Sequence, residues 1–124
     1  MIRLGTIVFG AEDVDRAVSF WSQVLGYDPV TFPDSENDFT ILVPPSREGA
    51  RVALQRAETP AQEHPRVHLD LVVDSAEEQA AEIDRLVALG ASRVDWDSYG
   101  DDPDFVVLAD PDGNRFCVVD AGHG

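Results

Sequence analysis

The sequence predicts an α+β fold made of two βαβββ modules, and three observations carry that prediction. The chain aligns with itself at a shift of about 62 residues, so one plan occurs twice. Each copy has a strand-like apolar run followed by a helical pattern whose apolar residues are spaced three and four apart. Each helical pattern ends at a glycine, Gly26 or Gly90, and three further strand-like runs follow it.

The first strand is read at Gly5 to Phe9. Val14, Ala17, Val18, Trp21, Val24 and Leu25 then fall on one helix face, with Asp13 as N-cap and Gly26 as the terminating glycine. Trp21 on that face is a core residue. Strands are expected at Pro29 to Phe32, Phe39 to Val43 and Arg51 to Gln55, with an acidic loop from Asp34 to Asp38. Ala57 to Arg66, carrying Pro60 and Pro65, reads as a linker, so the modules are 1–56 and 67–124 within one domain. In the second module, Val67 to Val73 reads as a strand. Ser75 opens a helix with Glu78 three residues on, the pattern of a capping box, and Ala76, Ala80, Ile83 and Val87 face inward. Arg93 to Trp96, Phe105 to Ala109 and Arg115 to Val119 complete the module. Asp110-Pro111-Asp112-Gly113 is a hairpin turn, with Pro where φ is near −65° and Gly where φ turns positive. One helix covers only one face of each sheet. Stability then requires two modules to pair, curving around a shared cleft.

Composition limits the function. The 124 residues carry 9 Lys+Arg against 24 Asp+Glu, a net charge of −15 that repels phosphate backbones and anionic lipid, so no nucleic acid and no membrane partner is expected. With 44% hydrophobic residues a folded core is expected, yet no apolar run approaches the roughly 18 residues that span a bilayer. A single cysteine, Cys117, allows no internal disulfide, and no apolar run of signal-peptide length precedes the first strand. A cytoplasmic protein is expected.

Three stretches together carry a family resemblance: Asp13-Val14-Asp15-Arg16-Ala17 running into Phe20-Trp21 and Val24-Leu25-Gly26; His68-Leu69-Asp70-Leu71; and Asp110-Pro111-Asp112-Gly113-Asn114-Arg115-Phe116. In these the chain resembles the vicinal oxygen chelate superfamily of glyoxalase I, bleomycin-resistance proteins, fosfomycin-resistance enzymes and extradiol dioxygenases. It is most similar to the short glyoxalase-like proteins. The resemblance implies paired modules around a cleft and, in metal-dependent members, a divalent ion held by His and Glu on the first and last strands of each module. On this sequence those positions are Thr6, Ala53, His68 and Cys117, so only His68 retains a family ligand. The internal repeat pairs the same residues, Thr6 with His68 and Ala53 with Cys117, and strand alternation adds Val8, Gln55, Asp70 and Val119 to the same faces.

Three lost ligands of four point to a small-molecule-binding protein whose usual metal site is degenerate, with no cofactor expected. Its ligand contacts are expected from Thr6, Gln55, His68, Asp70 and Cys117, with Trp96 and Tyr99 stacking on a flat ligand beside the acidic loop Ser98 to Asp104. A cationic ligand suits the charge. The alternative is a divergent metal-dependent lyase, isomerase or dioxygenase using His68 as base or metal anchor. His68 and Cys117 together, with Asp70 or Gln55, also form a donor set suited to Zn²⁺ or Cu. Against each sharp reading stands a plain one: a hydrogen-bonded strand histidine, a core thiol, and an Asp70 paired to an arginine or orienting His68. Exposed sheet edges and the resemblance both imply a homodimer.

Overall fold

A computed structural model describes residues 1–35 and 38–124 of the chain. Glu36 and Asn37, within the acidic loop expected from Asp34 to Asp38, lie outside the described residues. The chain divides into two units, Met1–Pro60 and Ala61–Gly124. Both have the βαβββ order, and no helix among the described residues is long and apolar enough to cross a membrane.

The first unit runs β1 (Thr6–Ala11), α1 (Val14–Leu25), β2 (Asp28–Thr31), a 3₁₀ turn at Pro33–Ser35, β3 (Phe39–Val43) and β4 (Arg51–Arg56). Its sheet order is β1-β4-β3-β2, with β1 parallel to β4 and the remaining pairs antiparallel. Asp13 caps α1 by accepting the Arg16 N–H at 3.1 Å, and Gly26 closes it at φ 68°, a conformation that glycine adopts without a Cβ clash. Trp21 is the centre of this core. It is 1% exposed and meets Phe9 and Phe20 edge-to-face at 5.4 and 5.1 Å. At Gly10, β1 passes so close to Ala57 that any Cβ would collide with the Ala57 side chain.

The second unit runs β5 (Asp70–Val73), α2 (Ala76–Leu89), β6 (Ser92–Arg93), β7 (Phe105–Ala109) and β8 (Arg115–Asp120), in sheet order β5-β8-β7-β6. Ser75 accepts the Glu78 N–H at 3.1 Å as expected, but the Glu78 carboxylate reaches back to the Asp74 N–H at 3.2 Å, one residue beyond the usual box. Two strands are shorter than the sequence suggests. β5 begins at Asp70, opposite Cys117 in its parallel register with β8, and just ahead of it the Leu69 carbonyl accepts the Cys117 N–H at 2.9 Å. β6 pairs only Ser92 and Arg93 with β7, and Val94 to Trp96 leave the sheet.

The turn between β7 and β8 is tied by one carboxylate. Asp110 is 3% exposed; its Oδ1 accepts the Asp112 and Asn114 backbone N–H groups at 3.0 and 2.8 Å, and its Oδ2 accepts the Asn114 side-chain amide at 3.2 Å. Gly113 takes φ 93°, as the turn reading required. This anchor fixes where β8 starts, and with it the position of Cys117.

Candidate functional site

Strand alternation gives the second sheet two different faces. Leu71, Val73, Phe116, Val118 and Leu108 alternate away from Asp70, Cys117, Val119, Phe105 and Val107, and the latter set lines a cavity of about 550 Å³. Two irregular segments supply its rim: His64, Pro65 and His68 ahead of β5, and Trp96, Ser98 and Asp104 between β6 and β7. His64 joins those segments. Its Nε2 is 2.8 Å from Asp97 Oδ1, and its ring packs on Trp96 with centroids 4.8 Å apart. That hydrogen bond holds the Asp97 carboxyl below its ordinary range. The buried Trp96 Nε1 has no hydrogen-bond partner among the described residues.

Asp70 is the hub of the cavity wall. Its carboxylate accepts from His68 Nε2 at 3.0 Å, which leaves Nδ1 of a neutral ring with its lone pair. Next to Asp70 on β8 is Cys117, only 8% exposed. Burial pushes the Cys117 thiol up to about 11, and the Asp70 charge and hydrogen bond add to the shift, so this side chain is a poor nucleophile at neutral pH. One donor atom from each of His68, Asp70 and Cys117 lies within 4.8 Å of the other two.

The sequence-derived candidates therefore divide. His68, Asp70, Cys117 and Trp96 are brought together on one cavity. Asp70 meets His68 through a hydrogen bond, a contact compatible with orienting that ring. Tyr99 is engaged beside that cavity, where its hydroxyl accepts the Val107 N–H at 2.8 Å and its ring packs on Phe105 at 5.3 Å. Thr6 lies on β1 and Gln55 on β4 of the first unit, and Ala53 there is wholly buried. Sequence reasoning missed His64, placed in the linker, and Arg115, Phe105 and Asp104. A histidine followed by Pro65 just ahead of a strand was the available signal for His64; the others carried none beyond strand alternation.

The superfamily's His/Glu ligand set is not present at these positions. Ala53 offers no ligand atom, Thr6 offers only a hydroxyl, and Cys117 replaces a carboxylate, so the His/Glu set cannot be assembled from these positions.

Two helices over two four-stranded mixed sheets, each unit in βαβββ order, are the architecture of a vicinal oxygen chelate protein. The model of the glyoxalase-like domain matches residues 6–119, and the chain belongs to that family. Among solved structures, a protein from Agrobacterium tumefaciens is similar at TM-score 0.75 and 17% identity, over 97% of this chain and 98% of that one. A fosfomycin resistance protein from Listeria monocytogenes is similar at TM-score 0.72 and 16% identity, over 100% and 94%. A glyoxalase/bleomycin resistance protein/dioxygenase family enzyme from Burkholderia phytofirmans is similar at TM-score 0.71 and 18% identity, over 96% and 98%. The search of curated proteins found no match.

Proposed function

We propose that the protein binds a small organic cation in the cavity of its second unit, without the divalent ion of its metal-dependent relatives. The carrying observation is the make-up of that cavity: about 550 Å³ walled by Trp96, Phe105, Val107 and Val119, with the carboxylates of Asp70 and Asp104 among its polar points beside His64, His68 and Arg115. A volume of this size holds a drug-sized molecule, apolar walls accept its flat body, and the carboxylates fix a basic nitrogen. The net charge of −15 draws such a cation in.

Isothermal titration of chelator-treated protein with bleomycin and a panel of aromatic amines tests the reading. Saturable binding that weakens on Asp104→Asn supports it; no heat with any compound overturns it. Two further properties go with this reading. The outer strands β1 and β5 carry exposed Val8 and Val72, an arrangement that favours a homodimer, and sedimentation showing only monomer at micromolar concentration would contradict that. An unpaired, buried thiol suits a reducing cytoplasm.

The hydrogen bond between His68 and Asp70 favours a second reading, an enzyme with His68 Nδ1 as general base, orientated by Asp70. Proton abstraction by that base is the chemistry of a lyase or isomerase. Turnover of hemithioacetals by the wild type and not by His68→Ala would establish it; equal inactivity of both would discard it.

A further inference from the structure

Asp70 and Cys117 sit side by side in the β5–β8 register, and His68 reaches the same carboxylate from the segment ahead of β5. From that juxtaposition we propose that His68, Asp70 and Cys117 form a binding site for a thiophilic cation, Zn²⁺ foremost, contained wholly within the second unit. It takes up two positions of the degenerate family site and replaces the rest of that site with Asp70, which the family pattern does not use.

The geometry favours a small tetrahedral ion. Bonds of about 2.0–2.3 Å to N, O and S put neighbouring ligand atoms roughly 3.3–3.8 Å apart in a tetrahedron. His68 and Asp70 already stand at 3.0 Å, and all three donors lie within 4.8 Å, so no pair must close by more than about 1.5 Å. The movement needed is available. His68 and Asp70 side chains are 43% and 56% exposed and free to change rotamer, whereas Cys117 is held by the strand that Asp110 anchors.

Donor chemistry selects the ion. A thiolate with imidazole and one carboxylate prefers Zn²⁺ or Cu over Mg²⁺, Ca²⁺ or Mn²⁺, whose sites are built from oxygen. Three protein ligands leave one corner of the tetrahedron for water or for a donor atom of whatever occupies the adjoining cavity, the pattern of an open rather than a structural zinc site. Binding expels the thiol proton, since the metal takes thiolate.

The test uses the full chain after metal stripping, with Zn²⁺ competed against a chromophoric chelator and Co²⁺ followed by absorption. One Zn²⁺ per chain is expected, together with a near-ultraviolet thiolate-to-cobalt charge-transfer band. Cys117→Ser should abolish the band. Asp70→Asn and His68→Ala, both at exposed side chains, should weaken Zn²⁺ by on the order of tenfold or more, and His64→Ala, in the same cavity, should leave it unchanged. Absence of the Co²⁺ band, or a Zn²⁺ affinity that Asp70→Asn and Cys117→Ser do not alter, overturns the proposal. Organic-cation binding is measured on chelator-treated protein, so either result stands or falls without the other.

Discussion

Titration of Cys117 gives the sharpest quantitative prediction. Its thiol is moved from 9.0 to about 11, first by burial and then by the Asp70 carboxylate beside it. Each unit is a tenfold change in thiolate, so at about pH 8 the native chain holds about 0.1% thiolate against roughly 10% for an unperturbed thiol, a hundredfold deficit. Alkylation of metal-stripped protein by iodoacetamide, followed by mass spectrometry across pH, reads this directly. The native rate should climb tenfold per pH unit through 9 and level off only near 11, while urea-unfolded chain levels off near 9. Because the folded-state value lies above the unfolded one, the contribution to stability is complete below pH 9 and is lost as pH rises through 11. Two units correspond to about 3 kcal/mol. Asp70→Asn removes the secondary causes and should lower the native midpoint, with burial keeping it above the ordinary value. A native midpoint at or below 9, or no movement on Asp70→Asn, would refute this account of the cavity wall.

Other predictions concern the frame that holds the site. Asp110→Ala removes an acceptor from three donors at a buried turn and should cost about 3 kcal/mol, read as a fall of about 10 °C in thermal midpoint; an unchanged midpoint would show the turn holds without it. Gly10→Ala drives a methyl into Ala57, and urea unfolding should show a loss of about 1–3 kcal/mol. Trp21→Ala empties the centre of the first core and should cost about 3–5 kcal/mol by the same assay, or prevent folding.

The elements that could be read from sequence are those whose signals are local. Asp13 and Ser75 cap their helices as their side chains predict, Gly26 and Gly90 end them, and Phe39 to Val43 and Phe105 to Ala109 are strands at the residues expected. The repeat also carried part of the site. It pairs Thr6 with His68 and Ala53 with Cys117, and the β1–β4 and β5–β8 registers repeat that relation, with Val8 opposite Ala53 and Asp70 opposite Cys117.

Strand lengths were less legible because composition does not mark where a ladder of hydrogen bonds stops. Val67 to Leu69 has strand-like composition, yet the paired ladder starts at Asp70, and ahead of it the Leu69 carbonyl accepts the Cys117 N–H at 2.9 Å. The rim was not legible at all. His64 meets Asp97, 33 residues away, and the contact joins two irregular segments with no periodicity to place either. Tyr99 read as a ligand-stacking ring from its place beside the acidic loop; its hydroxyl accepts the Val107 N–H, a partner that only the folded loop brings within reach.

Mapping an aromatic cation on the amide NMR spectrum of chelator-treated protein tests the central claim most directly. The account predicts saturable shifts confined to amides of residues 64–70, 96–107 and 115–119, the segments that wall the cavity. No shift with any member of the panel, or shifts confined to other parts of the chain, would contradict it.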